Sequence, residues 1–233
     1  MSDIELTILV PVYNEKENIP HLVASLKTAL ENIPYKTEVL LIDDGSKDGS
    51  SRALDEAAEK EGFIRIVHHE KNRGFGAAII TGYANARGKY ISTMDADLTH
   101  DPLQFLPMIK KIETGHDIVV GSRYVKGGGM KGVAMHRKLI SDIGRLVIRT
   151  MFGLPISDVT NGFRTVKKDV VNSLGLKETS FNVLPEMIVK AQKKGFRVGE
   201  EPMTLTSRKY GVSKMKFRDY YLEIKTLLKL KVG

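Results

Sequence analysis

Two aspartates separated by one residue, Asp95-Ala96-Asp97, follow the run Tyr90-Ile91-Ser92-Thr93-Met94, which reads as a buried strand. Carboxylates so placed can chelate a hard divalent cation, magnesium or manganese, that also holds diphosphate oxygens. Turn-forming aspartates produce the same tripeptide, so its position at a strand end is what gives it weight. A second pair, Asp43-Asp44, follows Val39-Leu40-Leu41-Ile42 and precedes Gly45-Ser46. A carboxylate fixed there can accept the imide hydrogen of a uracil or the amino hydrogens of another base. Ser46 or Asp48 is equally placed to cap the helix that follows. Farther on, Arg137, Ser141, Arg145 and Arg149 recur at a four-residue spacing and share one helical face, with Leu139, Ile140, Ile143, Leu146, Val147, Ile148 and Met151 around it. Such a helix suits a lipid interface, where arginines meet phosphates and leucines enter the acyl region. Packing on the protein's own core accounts for the pattern as well.

The elements that must position these residues alternate. Strands are expected at Leu6–Val12, Val39–Ile42, Ile64–His68, Tyr90–Met94 and Asp117–Gly121, and helices at Asn18–Glu31, Ser50–Glu61, Gly74–Ala86 and Pro102–Thr114. Strands separated by helices of about 10 to 15 residues imply βαβ crossovers and a mostly parallel sheet. Sheets of that kind bind ligands beyond the carboxyl ends of their strands. Pro11 to Glu15, Asp43-Asp44, Asp95-Ala96-Asp97 and Gly121-Ser122-Arg123 all fall there, so four polar clusters are predicted to converge on one rim. After Arg123 the simple repeat stops. Gly127-Gly128-Gly129 reads as a mobile loop able to close over a ligand, and it lacks the Lys-Ser/Thr of a phosphate-binding P-loop. A helix over His136–Phe152, strands at Phe163–Val166 and Val198–Leu205, a helix over Asn182–Lys194 and an amphipathic helix over Phe217–Leu230 complete the expected α/β domain, 1–233.

Composition sets limits on partners and chemistry. The chain has 233 residues, 42% hydrophobic and 27% charged, which suits one globular α/β domain. With no cysteine, thiolate metal sites, disulfides and cysteine nucleophiles are excluded, and any metal must use carboxylate, carbonyl or imidazole ligands. A net charge of +8 and a pI near 9.4 favour an anionic partner. No pattern of basic and aromatic residues like that of single-strand binders is present, so nucleic acid is not the expected partner. The absence of a signal-like start and of any uncharged apolar run of roughly 18 residues predicts a cytoplasmic protein that does not span a bilayer. His68, His69 and His100 lack zinc-ligand spacing and read as ordinary polar residues.

In order and spacing, Leu9-Val10-Pro11-Val12-Tyr13-Asn14-Glu15, Ile42-Asp43-Asp44-Gly45-Ser46, Asn72-Arg73-Gly74, Met94-Asp95-Ala96-Asp97 and Gly121-Ser122-Arg123-Tyr124 resemble the inverting GT-A glycosyltransferases of family 2. The resemblance covers essentially the whole chain. It is closest to the dolichyl-phosphate mannose synthase and polyprenyl-phosphate branch, through Asp158 to Arg164, Glu200-Glu201-Pro202 and Arg208 to Lys214. It implies a GT-A (Rossmann-like) fold with a nucleotide-sugar-binding half, 1–123, and an acceptor-binding half, 124–233. Pro11, Tyr13, Glu15 and Asp43 or Asp44 would frame the nucleotide, with Ala96, Arg123 and Lys214 contributing to the donor site. Asp95 and Asp97 would hold Mg2+ or Mn2+ on the diphosphate, joined by Thr99, which stands where the branch usually has glutamine. Arg208 would steady the leaving group. Arg123, Arg137 and Ser141 would bind the acceptor phosphate.

The implied reaction moves a sugar, mannose from GDP-mannose in the first reading, to a polyprenyl or dolichyl phosphate. A UDP-sugar donor of glucose or N-acetylglucosamine is the alternative, as is a soluble hydroxyl acceptor; a nucleotide- or nucleic-acid-binding module is a remote one. A hydroxyl acceptor needs a positioned base, and polysaccharide-building relatives carry a Glu-Asp pair and a tryptophan motif for such work. This chain has no Glu-Asp dipeptide and no tryptophan. The expected setting is the cytoplasmic face of a membrane, with the segment 217–230 as a further surface contact or a dock for an integral-membrane partner.

Overall fold

A computed structural model describes residues 3–132, 145, 146, 148–150 and 152–206. The first half alternates as the hydrophobic runs require: β1 (Leu6–Val12), α1 (Ile19–Leu30), β2 (Thr37–Asp43), α2 (Ser50–Lys60), β3 (Ile64–His68), α3 (Phe75–Asn85), β4 (Tyr90–Thr93), a 3-10 turn (Pro102–Gln104), α4 (Phe105–Glu113) and β5 (Ile118–Ser122). The 3-10 turn starts where the Asp101 side chain accepts from the Leu103 amide and Pro102 contributes its fixed φ. Beyond β5 come β6 (Gly129–Met130), β7 (Arg164–Lys167), α5 (Lys168–Leu174), α6 (Val183–Lys193), β8 (Val198–Pro202) and β9 (Thr204–Leu205). Arg145, Leu146, Ile148, Arg149, Thr150 and Phe152 are helical, as expected within His136–Phe152. The segment 217–230 lies outside the described residues.

Seven strands form one sheet in the order β3-β2-β1-β4-β7-β5-β8. All run parallel except β7, which is antiparallel to both β4 and β5. Strand alternation divides the apolar residues between two faces. Ile8, Val10, Val39, Leu41 and Val119 pack with Leu22, Leu26, Phe105 and Ile109 of α1 and α4. Leu9, Leu40, Ile42, Ile118 and Val120 pack on the other side with Ile79, Tyr83, Met187 and Ile188 of α3 and α6. Burial on both faces is why these strands read as continuous apolar runs rather than alternating ones.

The reversal at β7 has a consequence for the rim. Thr93 pairs with Arg164, so the amino end of β7 lies beside the carboxyl end of β4. The loop entering β7, residues 158–163, therefore reaches the same edge as the Asp95-Ala96-Asp97 loop. Two expectations are corrected. The strand read as Val198–Leu205 is broken at Met203, with β8 in the main sheet and β9 in a two-stranded sheet with β6. Gly129, expected in a mobile loop, is a member of that small sheet and donates its amide to the Met203 carbonyl at 3.0 Å.

Candidate active site

Loops at the rim are tied to one another before they hold anything else. Asn14 adopts a positive φ of 52°, which asparagine tolerates. Its amide donates to Ser46 Oγ at 2.9 Å, and its side-chain oxygen accepts from the Lys47 amide at 2.7 Å. The amide of Glu15 donates to Ser50 Oγ at 2.8 Å, and Glu15 Oε2 accepts from Asn18 Nδ2 at 2.6 Å. Pro11, near the end of β1, and Tyr13 and Glu15, on the loop braced against the turn after β2, are half-buried.

Asp43 and Asp44 are both buried. Asp43 accepts from the Ser46 amide at 3.0 Å, Ser51 Oγ at 2.5 Å and His68 Nδ1 at 2.9 Å. Burial alone would raise its pKa, but the hydrogen bonds from Ser46, Ser51 and His68 outweigh that and hold the carboxyl below its ordinary value. On Asp44, Oδ1 contacts His69 Nδ1 at 2.7 Å and accepts from the Arg73 amide at 2.8 Å. Its Oδ2 accepts from Asn72 Nδ2 and the Gly74 amide, both at 2.9 Å. Those four contacts match the acceptor capacity of a carboxylate, so a base hydrogen reaching Asp44 has to displace one of them.

At the carboxyl end of β4, Asp95, Asp97 and His100 each present a donor atom, all within 4.8 Å of one another. Leu98 between them has a φ of 62°, uncommon for a branched aliphatic residue and of the kind concentrated at functional loops. That turn lets Thr99 donate to Asp97 Oδ1 from both its amide, at 3.2 Å, and its hydroxyl, at 2.6 Å. His100 is 6% exposed, and neither ring nitrogen makes a hydrogen bond within 3.5 Å, although the Asn161 side chain lies near enough to act on the ring's charge. Burial holds its pKa well below the ordinary value despite the nearby Asp97, with Arg123 pushing the same way. Its ring is therefore neutral at physiological pH, the form that ligates metals. Two carboxylates and an orphaned neutral imidazole fit a divalent cation. Spacing rules gave no reason to single out His100; the signal in the sequence was its nearness to the aspartate pair.

Arg123, at the end of β5, is held by Asp158. Its Nε and Nη2 donate to the two carboxylate oxygens at 2.7 Å each, and its amide adds a third bond at 3.1 Å. Glu200 of β8 accepts from the amides of Ser157 and Asp158 at 2.7 and 2.9 Å, fixing the loop that carries Asp158. Asn161 anchors the same loop by donating to the Gly121 carbonyl at 2.6 Å. The guanidinium of Arg145 lies 4.1 Å from the centre of the Tyr124 ring, and that of Arg123 lies 5.4 Å from it. Of the predicted arginine face, Arg145 thus lies over the Tyr124 ring, whereas Arg149 is exposed. Ile148 is buried in the core and Leu146 is 55% exposed. Arg137, Ser141, Arg208 and Lys214 lie outside the described residues. Thr206 donates from its amide and its hydroxyl to the Thr99 carbonyl at 3.1 and 3.2 Å, so the chain is tethered to the Asp97 loop two residues before Arg208.

The sequence profile of glycosyl transferase family 2 matches residues 7–175. The chain belongs to that family. Among family-2 relatives it is 32% identical to the dolichol-phosphate mannosyltransferase of Pyrococcus furiosus over 230 residues, covering 97% of this chain and 63% of the relative. The chain therefore spans less than two thirds of that protein's length. It is also 32% identical to the polyprenol monophosphomannose synthase of Mycolicibacterium smegmatis over 217 residues, covering 89% of this chain and 80% of the relative. In fold it is similar to glucosyl-3-phosphoglycerate synthase from Mycobacterium tuberculosis, whose structure with Mn2+, UDP-glucose and phosphoglyceric acid superposes with a TM-score of 0.75 at 16% identity, covering 98% of this chain and 80% of that one. The same synthase with Mg2+ and UDP gives a TM-score of 0.73 at 16% identity, covering 97% and 79%. The GT-A fold expected of family 2 is the one present.

Proposed function

We propose that this chain transfers a sugar from a nucleotide diphosphate donor to a polyprenyl phosphate, with mannose from GDP-mannose as the first reading. The observation that carries it is the Asp95, Asp97 and His100 donor group at the rim, with Arg123 nearby and both Arg123 and Arg145 set against the Tyr124 ring. Arg123 and Asp158 are close enough to His100 to act on its charge. The names of the Pyrococcus and Mycolicibacterium relatives support the acceptor and the sugar. A UDP-sugar donor is the second reading, favoured by the UDP-bound structures of the Mycobacterium synthase.

When bound, a divalent cation supplies charge neutralisation on the leaving diphosphate. Asp95, Asp97 and His100 would hold it, while Pro11, Tyr13, Glu15 and the Asp43-Asp44 turn frame the nucleotide. Ala96 and Lys214 are assigned to the donor by resemblance, as is Arg208 to the leaving group. The Thr206 tether brings the chain toward the Asp97 loop just before Arg208. Arg123, Arg137 and Ser141 would orient the acceptor phosphate, joined by Arg145. That phosphate is already anionic near neutral pH. Its oxygen bonds to the anomeric carbon on the face opposite the departing diphosphate, which leaves with the electron pair of the broken C–O bond, so no general base is required. No helix among the described residues is long and apolar enough to cross a membrane. Peripheral contact through the arginine-bearing helix fits the reading.

Incubation with GDP-mannose or a UDP-hexose, Mn2+ and a short polyprenyl phosphate is expected to yield a glycolipid. Alanine at Asp95 or Asp97 should reduce turnover by about 100-fold or more. Intact nucleotide binding without glycolipid from any common donor would overturn the proposal.

A further inference from the structure

The resemblance to the family assigns the third metal contact to position 99, where this chain carries threonine. The structure gives that hydroxyl another task. Its proton is donated to Asp97 Oδ1 at 2.6 Å, alongside the Thr99 amide at 3.2 Å. Thr99 thereby fixes the orientation of a carboxylate that faces the donor cluster.

The next residue has the complementary property. His100 is buried, and neither ring nitrogen makes a hydrogen bond within 3.5 Å among the described residues. A buried polar atom without a partner is costly and calls for an unseen ion or water. One of those nitrogens lies within 4.8 Å of the donor oxygens of both Asp95 and Asp97. The ring is also not free to turn elsewhere. It stacks on Phe163 at a centroid distance of 4.8 Å and an interplanar angle of 22°, and Phe163 stacks on Phe105 at 4.3 Å and 10°. Phe105 and Phe163 are both fully buried, so the stack is anchored in the core.

We propose that His100 supplies a nitrogen ligand to the divalent cation held by Asp95 and Asp97, with Thr99 as a positioning residue for Asp97 rather than a ligand. The inference rests on the metal-dependent reading above and refines its ligand set. It carries a consequence for ion choice. Mg2+ is bound by oxygen donors, whereas imidazole suits first-row transition ions. A nitrogen in the set therefore biases the site toward Mn2+ over Mg2+.

Electron spin-echo envelope modulation of the full chain loaded with substoichiometric Mn2+ tests this without a substrate. The wild-type protein is expected to show modulation from a directly bound nitrogen, altered when histidine is 15N-labelled. His100→Gln should abolish the modulation, weaken Mn2+ binding about 10- to 100-fold and lower the Mn2+/Mg2+ affinity ratio about tenfold or more. Thr99→Ala should retain the nitrogen signal and weaken both ions about equally, by roughly tenfold. Mn2+ binding that depends on Asp95 and Asp97 but shows no nitrogen modulation in the wild type would overturn the histidine ligand and leave the glycosyl-transfer reading standing. Failure of the wild type to take up Mn2+ at all would overturn the metal-dependent reading together with this ligand set. The wild-type spectrum is decisive even where a variant folds poorly.

Discussion

The Asp44 carboxylate takes contacts from His69, Asn72, Arg73 and Gly74, and they form because the chain turns back immediately at Gly45. Gly45 has a φ of 69°, and a Cβ there would sit 2.4 Å from the Lys71 carbonyl carbon and 2.5 Å from the Asn72 nitrogen. The left-handed conformation alone costs an alanine about 1–2 kcal/mol, and the overlap is with backbone that carries the Asp44 partners. Gly45→Ala is therefore expected to lose at least about 2 kcal/mol of stability, read as a lower urea midpoint. It should also weaken nucleotide binding, since residues 71–74 must shift. Asp158 illustrates a different dependence. It is fully buried against an Arg123 side chain that is 12% exposed. Removing one member of a buried ion pair leaves the other charge uncompensated, at a cost of about 3–5 kcal/mol. Asp158→Asn should fall toward the lower end of that range because Arg123 retains some contact with water. The measurement is chemical denaturation, and an unchanged midpoint would mean that Asp158 is not what holds Arg123.

Elements of the first half were legible in the sequence because β1, β2, β4 and β5 are buried on both faces and α1 and α4 each show an apolar stripe. The second half was read less well, for physical reasons. The α5 helix over Lys168–Leu174 is only two turns long, too short for periodicity to stand out, and it follows β7 without a loop. The antiparallel placement of β7 depends on pairing with β4 and β5, which no local pattern encodes. Arg164 opens that strand fully buried. Its guanidinium donates to the carbonyls of Val159, Asn161 and Leu184, joining the loop before β7 to the start of α6. Burial lowers its pKa to about 10, with Tyr83, Asp158 and Asp95 acting the other way, so it stays charged. Arg164→Met keeps the bulk but strips those carbonyls of a donor, at about 1–3 kcal/mol for each group left unsatisfied. We expect loss of about 3 kcal/mol or more, with a local rise in amide exchange over residues 158–163. The link between β2, β3 and α2 responds to pH instead. His68 bridges Asp43 at 2.9 Å and Asp55 at 3.0 Å. Burial pulls its pKa down, but both carboxylates outweigh that and raise it above 6.5. A raised histidine stabilises fully below its unfolded pKa, and that contribution is lost as pH rises through the folded value. The depressed Asp43 stabilises above 3.8, and its contribution is lost as pH falls through its folded value. Together they place the maximum between about pH 4 and 6.5. The stability difference between wild type and His68→Gln should be greatest near pH 5 to 6 and shrink by pH 9. With His68 39% exposed, it should stay under about 1 kcal/mol.

At the scale of the molecule, the rim was predictable because a mostly parallel sheet delivers every strand-to-helix loop to one edge, and the aspartate pairs sat at the right junctions. What those aspartates do there was not legible. Asp43 and Asp44 are each enclosed by hydrogen bonds from neighbouring loops, whereas His100, whose spacing promised nothing, stands beside Asp95 and Asp97 in the donor cluster. The difference arises from contacts between loops distant in sequence, such as Asp44 with residues 69–74 and Asp97 with Thr206 through Thr99. A ligand that bridges these loops must stabilise the whole sheet edge, and the size of the effect can be set in advance. Binding to the folded state alone adds RT ln(1 + [L]/Kd), about 2.7 kcal/mol at a ligand concentration of 100 Kd. For a chain of this size that corresponds to a rise in Tm of roughly 5–10 °C. GDP or UDP with Mn2+ should produce such a shift, with the larger response marking the base the site prefers. A chelator should remove most of it, because the diphosphate then meets two carboxylates with no cation between them. The Asp95→Ala, Asp97→Ala double variant should show little shift with either nucleotide. A full shift in that variant would mean that the nucleotide is held away from the aspartate pair, and that the rim binds its donor in a different register.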